Sequence, residues 1–106
     1  MKTSEILTKA ADLLQTVGWC QCRLRIFDGH GNTIAYCASG AIEKASGNQN
    51  LEIASALLAF NRQIGGLDSD LIIGKWNDTN WRTKEEVIYN LRQAAEKQEE
   101  VSDQWS

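Results

Sequence analysis

At 106 residues, with 42% hydrophobic and 24% charged residues, the chain has the size and composition of one globular domain that needs no metal or disulfide to fold. Fourteen acidic residues against eleven basic ones give a formal net charge of −3, so the Lys and Arg excess that drives phosphate-directed binding is missing and direct nucleic-acid binding is not expected. No apolar run approaches the roughly 18 residues of a membrane span, and Met1 to Glu5 lead into a helical pattern rather than a signal core; a cytoplasmic location without membrane contact is expected.

The first helix is expected over about Ser4–Thr16, capped by Thr3 or Ser4, with Ile6, Ala10, Leu13, Leu14 and Val17 forming its apolar stripe and Gly18 ending it. From Trp19 to Phe27 the period changes to two: Cys20, Cys22, Leu24 and Ile26 alternate with Gln21, Arg23 and Arg25, as in a half-buried strand. Asp28-Gly29-His30-Gly31-Asn32 supplies turn residues, and Thr33–Cys37 a second strand, so a hairpin follows. A five-residue loop would set Ile26 opposite Ile34 and Leu24 opposite Tyr36, leaving Cys22 and Cys37 on opposite faces.

A short helix is expected from Ser39-Gly40 to Gly47. A third helix, capped by Asn48 or Asn50, carries a broad apolar arc that suggests a central place and stops at Gly65-Gly66. Asp68-Ser69-Asp70 caps a brief segment, Leu71-Ile72-Ile73, read as one turn. Thr83 and Glu86 have the spacing of a capping box. The helix after them places Val87, Ile88, Leu91 and Ala95 inward and frays after about Lys97. The organisation expected is an α+β domain over residues 1–98, one antiparallel β-hairpin against three longer and one or two short helices, with a mobile tail over 99–106. The acidic run from Glu96 to Asp103 reads as a solvated helix end.

Few residues invite chemistry. Cys20, Cys22, His30 and Cys37 are zinc-ligand types, but the one-residue spacing along a strand is wrong for a structural zinc site, and no metal or cofactor is expected. The odd cysteine count, outside a secretory context, argues against a disulfide framework. Cys37, just ahead of a helix, is the better candidate thiol, yet the lone His30 sits in a turn and supplies no base. Asp28, Asp68, Asp70 and Asp78 fit turns and caps. Trp76-Asn77-Asp78 with Arg82 could line a polar pocket beside an indole; the structural alternative has Trp76 anchoring the loop and Arg82 pairing with Asp78. Trp81, in a polar loop, either forms an interface or folds back over Trp76. Arg23 and Arg25 add a small positive strip, and Trp105 stands in the tail.

Trp19-Cys20-Gln21, then Cys37-Ala38-Ser39-Gly40-Ala41-Ile42, then Trp76-Asn77-Asp78 with Arg82-Thr83 and Glu86-Val87 together resemble an uncharacterised domain family found in actinobacterial and phage proteins. The resemblance spans most of the chain and departs from the family at Thr79-Asn80-Trp81, where small turn residues are expected. It implies a compact domain often carried on mobile elements and brings no assigned chemistry. The function expected is therefore a non-enzymatic protein-binding regulator, encoded by a phage or mobile element and aimed at a host complex such as a defence machine. Its contact residues would be Trp81, Arg82, Arg23, Arg25 and Trp105. Two alternatives are a small-ligand binder using Trp76, Asn77, Asp78 and Arg82, and a thiol-dependent enzyme using Cys37 or Cys20.

Overall fold

A computed structural model describes residues 1–105, with side chains to Glu99. The elements run α1 (Thr3–Thr16), β1 (Arg25–Phe27), β2 (Thr33–Tyr36), α2 (Ala38–Ala45), α3 (Asn50–Gln63), α4 (Ile73–Asn77) and α5 (Lys84–Trp105). Five helices around a two-stranded antiparallel hairpin make the α+β fold that the periodicities predict. No helix among the described residues is long and apolar enough to cross a membrane.

The centre of the molecule is α1, not α3. Helices α5, α2 and α3 all pack on α1, so its apolar surface is wider than one stripe: Leu7 and Ala11 are buried with Ile6, Ala10 and Leu14. Val17, expected inside, lies at the exposed end. The broad arc read into α3 is only partly used; Ala56, Ala59 and Phe60 are buried, whereas Leu51 is 86% exposed. Truncating Phe60, one of the largest fully buried side chains, would cost about 3–5 kcal/mol.

Side-chain caps are fewer than the sequence suggests. Lys2 precedes α1 and Gln49 precedes α3, neither with a capping side-chain bond, while Thr3, Ser4 and Asn50 lie inside their helices and Asn48 takes a positive φ of 64°. Asp68 does not cap α4 either: it holds the Arg62 guanidinium through two bonds of 2.7 Å. The Thr83–Glu86 box forms as read, the Glu86 amide donating to Thr83 Oγ1 and the Thr83 amide to Glu86 Oε1, both at 3.2 Å. Helix α5 continues past Lys97 to Trp105, so its backbone is longer than the predicted one. The side chains of residues 100–106, that of Trp105 among them, lie outside the described residues.

The hairpin differs from its expected form. Its turn is built as predicted: Asp28 Oδ1 accepts the amides of His30 (2.7 Å) and Asn32 (3.0 Å), and Gly31 takes a φ of 84°. The register, however, pairs Arg25 with Tyr36 and Ile26 with Ala35, one residue away from the simple reading, with an irregularity between Ile26 and Phe27. That shift undoes the argument placing Cys22 and Cys37 on opposite faces; the three cysteines are nonetheless free thiols. Strand β1 also covers only the end of the alternating run. Residues 20–24 leave the strand, and Cys22 adopts a positive φ of 68°.

Candidate functional site

What bends residues 20–24 away is the side chain of Asn77. The segment Gly18–Cys20 starts a parallel ladder along β2: the Tyr36 amide donates to the Gly18 carbonyl and the Cys20 amide to the Tyr36 carbonyl, each at 3.0 Å. The next rung of such a ladder would join the Ala38 amide to the Cys20 carbonyl. Instead the primary amide of Asn77 occupies that rung. Its Oδ1 accepts from the Ala38 amide at 3.1 Å, and its Nδ2 donates to the Cys20 carbonyl at 3.1 Å. The Trp19 indole N–H adds a bond of 2.8 Å to Oδ1, and Nδ2 also reaches Asp78 Oδ1 at 3.0 Å. All four hydrogen-bonding positions of the amide are therefore filled, as its 1% exposure requires.

Neighbouring groups extend the node. Gln21 Nε2 donates to the carbonyls of Asn77 (3.0 Å) and Thr79 (2.9 Å), and the Cys22 amide donates to Asp78 Oδ1 at 2.8 Å. Two glycines let the elements approach this closely. A Cβ at Gly18, where φ is 150°, would lie 2.6 Å from the Ile34 carbonyl oxygen, and one at Gly40 would run into the Leu24 carbonyl. Trp19-Cys20-Gln21, the Cys37–Ile42 run and Trp76-Asn77-Asp78 thus converge in space.

The Trp76 to Arg82 segment is a helical turn followed by a tight loop, since α4 begins at Ile73. Trp76 meets the Phe60 ring edge-on, with centroids 5.6 Å apart, and Arg82 lays its guanidinium over the indole at 4.0 Å. Arg82 does not pair with Asp78: its Nε donates to the Trp76 carbonyl and its Nη1 to Glu86 Oε2, both at 2.9 Å. The place over Trp76 is consequently taken, and Trp81 points outward with 78% of its surface exposed.

The four residues read as a ligand set do not form one pocket. Asn77 and Asp78 line a cavity of about 210 Å³ with Arg23, Leu24, Cys37, Ser39 and Gly74. Trp76 and Arg82 are engaged with each other outside it. Sequence reasoning missed Ser39 and Gly74 there, and the only available signal was the convergence of the Cys37–Ile42 and Trp76–Asp78 motifs. At the cavity wall Cys37 caps α2, its Sγ accepting the Gly40 amide at 3.3 Å. Burial pushes the Cys37 thiol up, against the pull of the Gly40 and Ser39 amides, so the helix N-terminus does not activate it as expected. Burial also raises Cys20, followed by the influence of Cys37, and Cys20 Sγ donates to the Arg23 carbonyl at 3.4 Å. At neutral pH this is a pair of protonated thiols with no imidazole at the cavity; His30 stands in the exposed turn. Among the described residues no group of three or more His, Cys, Asp and Glu could hold a metal ion.

Arg23 and Arg25 are not a matched strip. Arg25 lies over the Tyr36 ring at 5.6 Å with Glu43 at 3.7 Å, whereas Arg23 is exposed in the bend ahead of β1. Of the residues expected to meet a partner, Trp81 and Arg23 are open to solvent, and Arg82 and Arg25 already serve internal contacts.

No curated protein and no solved structure matches the chain. A family model described as a family of unknown function (DUF6197) matches residues 1–97, and the chain belongs to that family.

Proposed function

We propose that this domain is a non-enzymatic protein-binding module that presents Trp81 to its partner. The observation that carries the reading is the contrast across one peptide bond: Trp81 is 78% exposed while the side chain of Arg82 is 14% exposed and fixed on Trp76. The loop is held further by the Arg82 amide on the Thr79 carbonyl (2.9 Å) and by Thr79 Oγ1 on the Lys75 carbonyl (3.0 Å). A large aromatic on a preordered loop loses little freedom on binding, which is what an interface anchor needs. The partner class expected from the family resemblance, a host complex such as a defence machine, belongs to this proposal as well. The test is co-purification from the native host with wild-type and Trp81→Ala protein of equal thermal stability. Loss of a partner supports the reading; a mutant that keeps every partner removes it.

The cavity beside Asn77 favours a second reading, a small polar ligand held by Arg23, Ser39 and Asp78. A thermal shift across nucleotides and metabolites distinguishes the two, because a bound ligand must raise stability whether or not Trp81 is present.

A further inference from the structure

A separate surface carries a second proposal about partners. Between α1 and α2 lies an open groove of about 340 Å³, lined by Lys9, Asp12, Leu13 and Thr16 from α1 and by Lys44 and Ala45 from α2. The four α1 residues recur at intervals of three and four, so they form one face of that helix. Leu13, packed from the edge against the core, and Ala45 give the groove an apolar floor.

Its charge is lopsided. The single carboxylate, Asp12, is neutralised from outside the groove, its Oδ1 accepting Arg92 Nη2 at 3.0 Å. Lys9 and Lys44, both exposed, form no ion pair among the described residues. Two ammonium groups without an ion-pair partner among the described residues therefore flank apolar side chains in a chain whose formal net charge is −3.

We propose that this groove docks an acidic amphipathic helix of a partner protein, its apolar residues on Leu13 and Ala45 and its carboxylates on Lys9 and Lys44. A helix laid between two helices presents side chains at the spacing the α1 face offers. The open groove would leave most of a small ligand in water, whereas a helix covers the whole length. Opposite charges at the rim set register and speed encounter more than they add affinity, so binding weakens as salt screens them.

The test uses the full chain and a fluorescein-labelled peptide of about fifteen residues, long enough to hold a helix, with Leu and Glu at helical spacing. Fluorescence anisotropy should show saturable binding that falls at high salt. Lys9→Glu with Lys44→Glu should weaken it by about tenfold or more, and Lys9→Arg with Lys44→Arg should preserve it. Both lysines are solvent-facing, so unchanged melting temperatures confirm that the variants fold. Trp81→Ala should leave peptide binding untouched, which keeps this surface distinct from the loop proposed above. No saturable binding, indifference to charge reversal, decanoate binding in place of the peptide, or a salt-sensitive dimer of the chain through this groove would each overturn the proposal.

Discussion

Asn61 and Asn77 are two buried asparagines that each shape an irregular segment, and they differ in how far along the chain they reach. Asn61 works locally: its Nδ2 donates to the carbonyls of Leu67 (2.8 Å) and Asp70 (3.2 Å), and its Oδ1 accepts the Ile72 amide at 2.8 Å. Those partners lie 6 to 11 residues away, so one side chain ties the loop after α3 back to the helix that precedes it. Besides its neighbour Asp78, Asn77 binds partners 39 to 58 residues away and joins the segment after α1, the start of α2 and the end of α4. The same amide chemistry serves as a loop clamp in one place and a tertiary rung in the other. Losing the first frees a loop, whereas losing the second disconnects elements.

Asn77→Ala should show the largest effect. It orphans the Trp19 indole N–H, the Cys20 carbonyl and the Ala38 amide, for roughly 3–5 kcal/mol in denaturant unfolding once partial rehydration is allowed. Asn61→Ala should cost less, about 1–3 kcal/mol, because its loop partners lie nearer solvent. Hydrogen exchange should locate that loss in residues 67–72 while protection of α1 changes little. If both variants lose protection across the whole molecule, the distinction between clamp and rung is wrong. The double variant sharpens the comparison: independent nodes should give costs that add within about 0.5 kcal/mol.

Thr83→Ala removes one arm of a short-range device of the same family, the capping box, and should cost about 1 kcal/mol. The smallest effect belongs to Asp28, a carboxylate that organises its turn as Asn61 organises its loop. The amides of Asn32 and His30 hold its carboxyl below the usual carboxylate value. Because the folded value is the lower one, the contribution is complete above the unfolded aspartate pKa of about 3.9 and is lost as pH falls through the folded value. An acid titration followed by NMR should show the turn amides of residues 30 and 32 shifting below about pH 4, with the Asn77 node unaffected.

Local devices were the legible part of this sequence. The capping box, the Asp28–Asn32 turn and the extent of α1 follow from residues within a few positions of one another, and each stands as read. The Trp19–Phe27 alternation misled because two structures share it: a strand, and a chain that begins as a strand and then wraps around a distant amide. Asn77 sits between Trp and Asp in a polar stretch, where a turn residue and a saturated buried hub look alike from neighbours alone. Arg82 had two credible carboxylates in reach, Asp78 and Glu86, and stacking on Trp76 selected the second. What joined the three motifs was a set of contacts across 39 to 58 residues, and no local pattern encodes that. For the candidate site, the polar surroundings of Trp81 left exposure and a fold-back over Trp76 both open, and the separation of Asn77 and Asp78 from Trp76 and Arg82 was not legible either.

The rung filled by Asn77 also bears on the order in which the protein assembles. A ladder that needs an amide from α4 cannot close when β2 first meets the segment after α1; it must wait until residues 50–77 have been placed, at a considerable loop-closure cost. Bonds closed at that cost are expected to form after the folding barrier has been crossed. Stopped-flow measurements should therefore find that Asn77→Ala speeds unfolding while leaving the refolding rate nearly as it was, so the side chain works as a latch on the finished structure rather than a guide towards it.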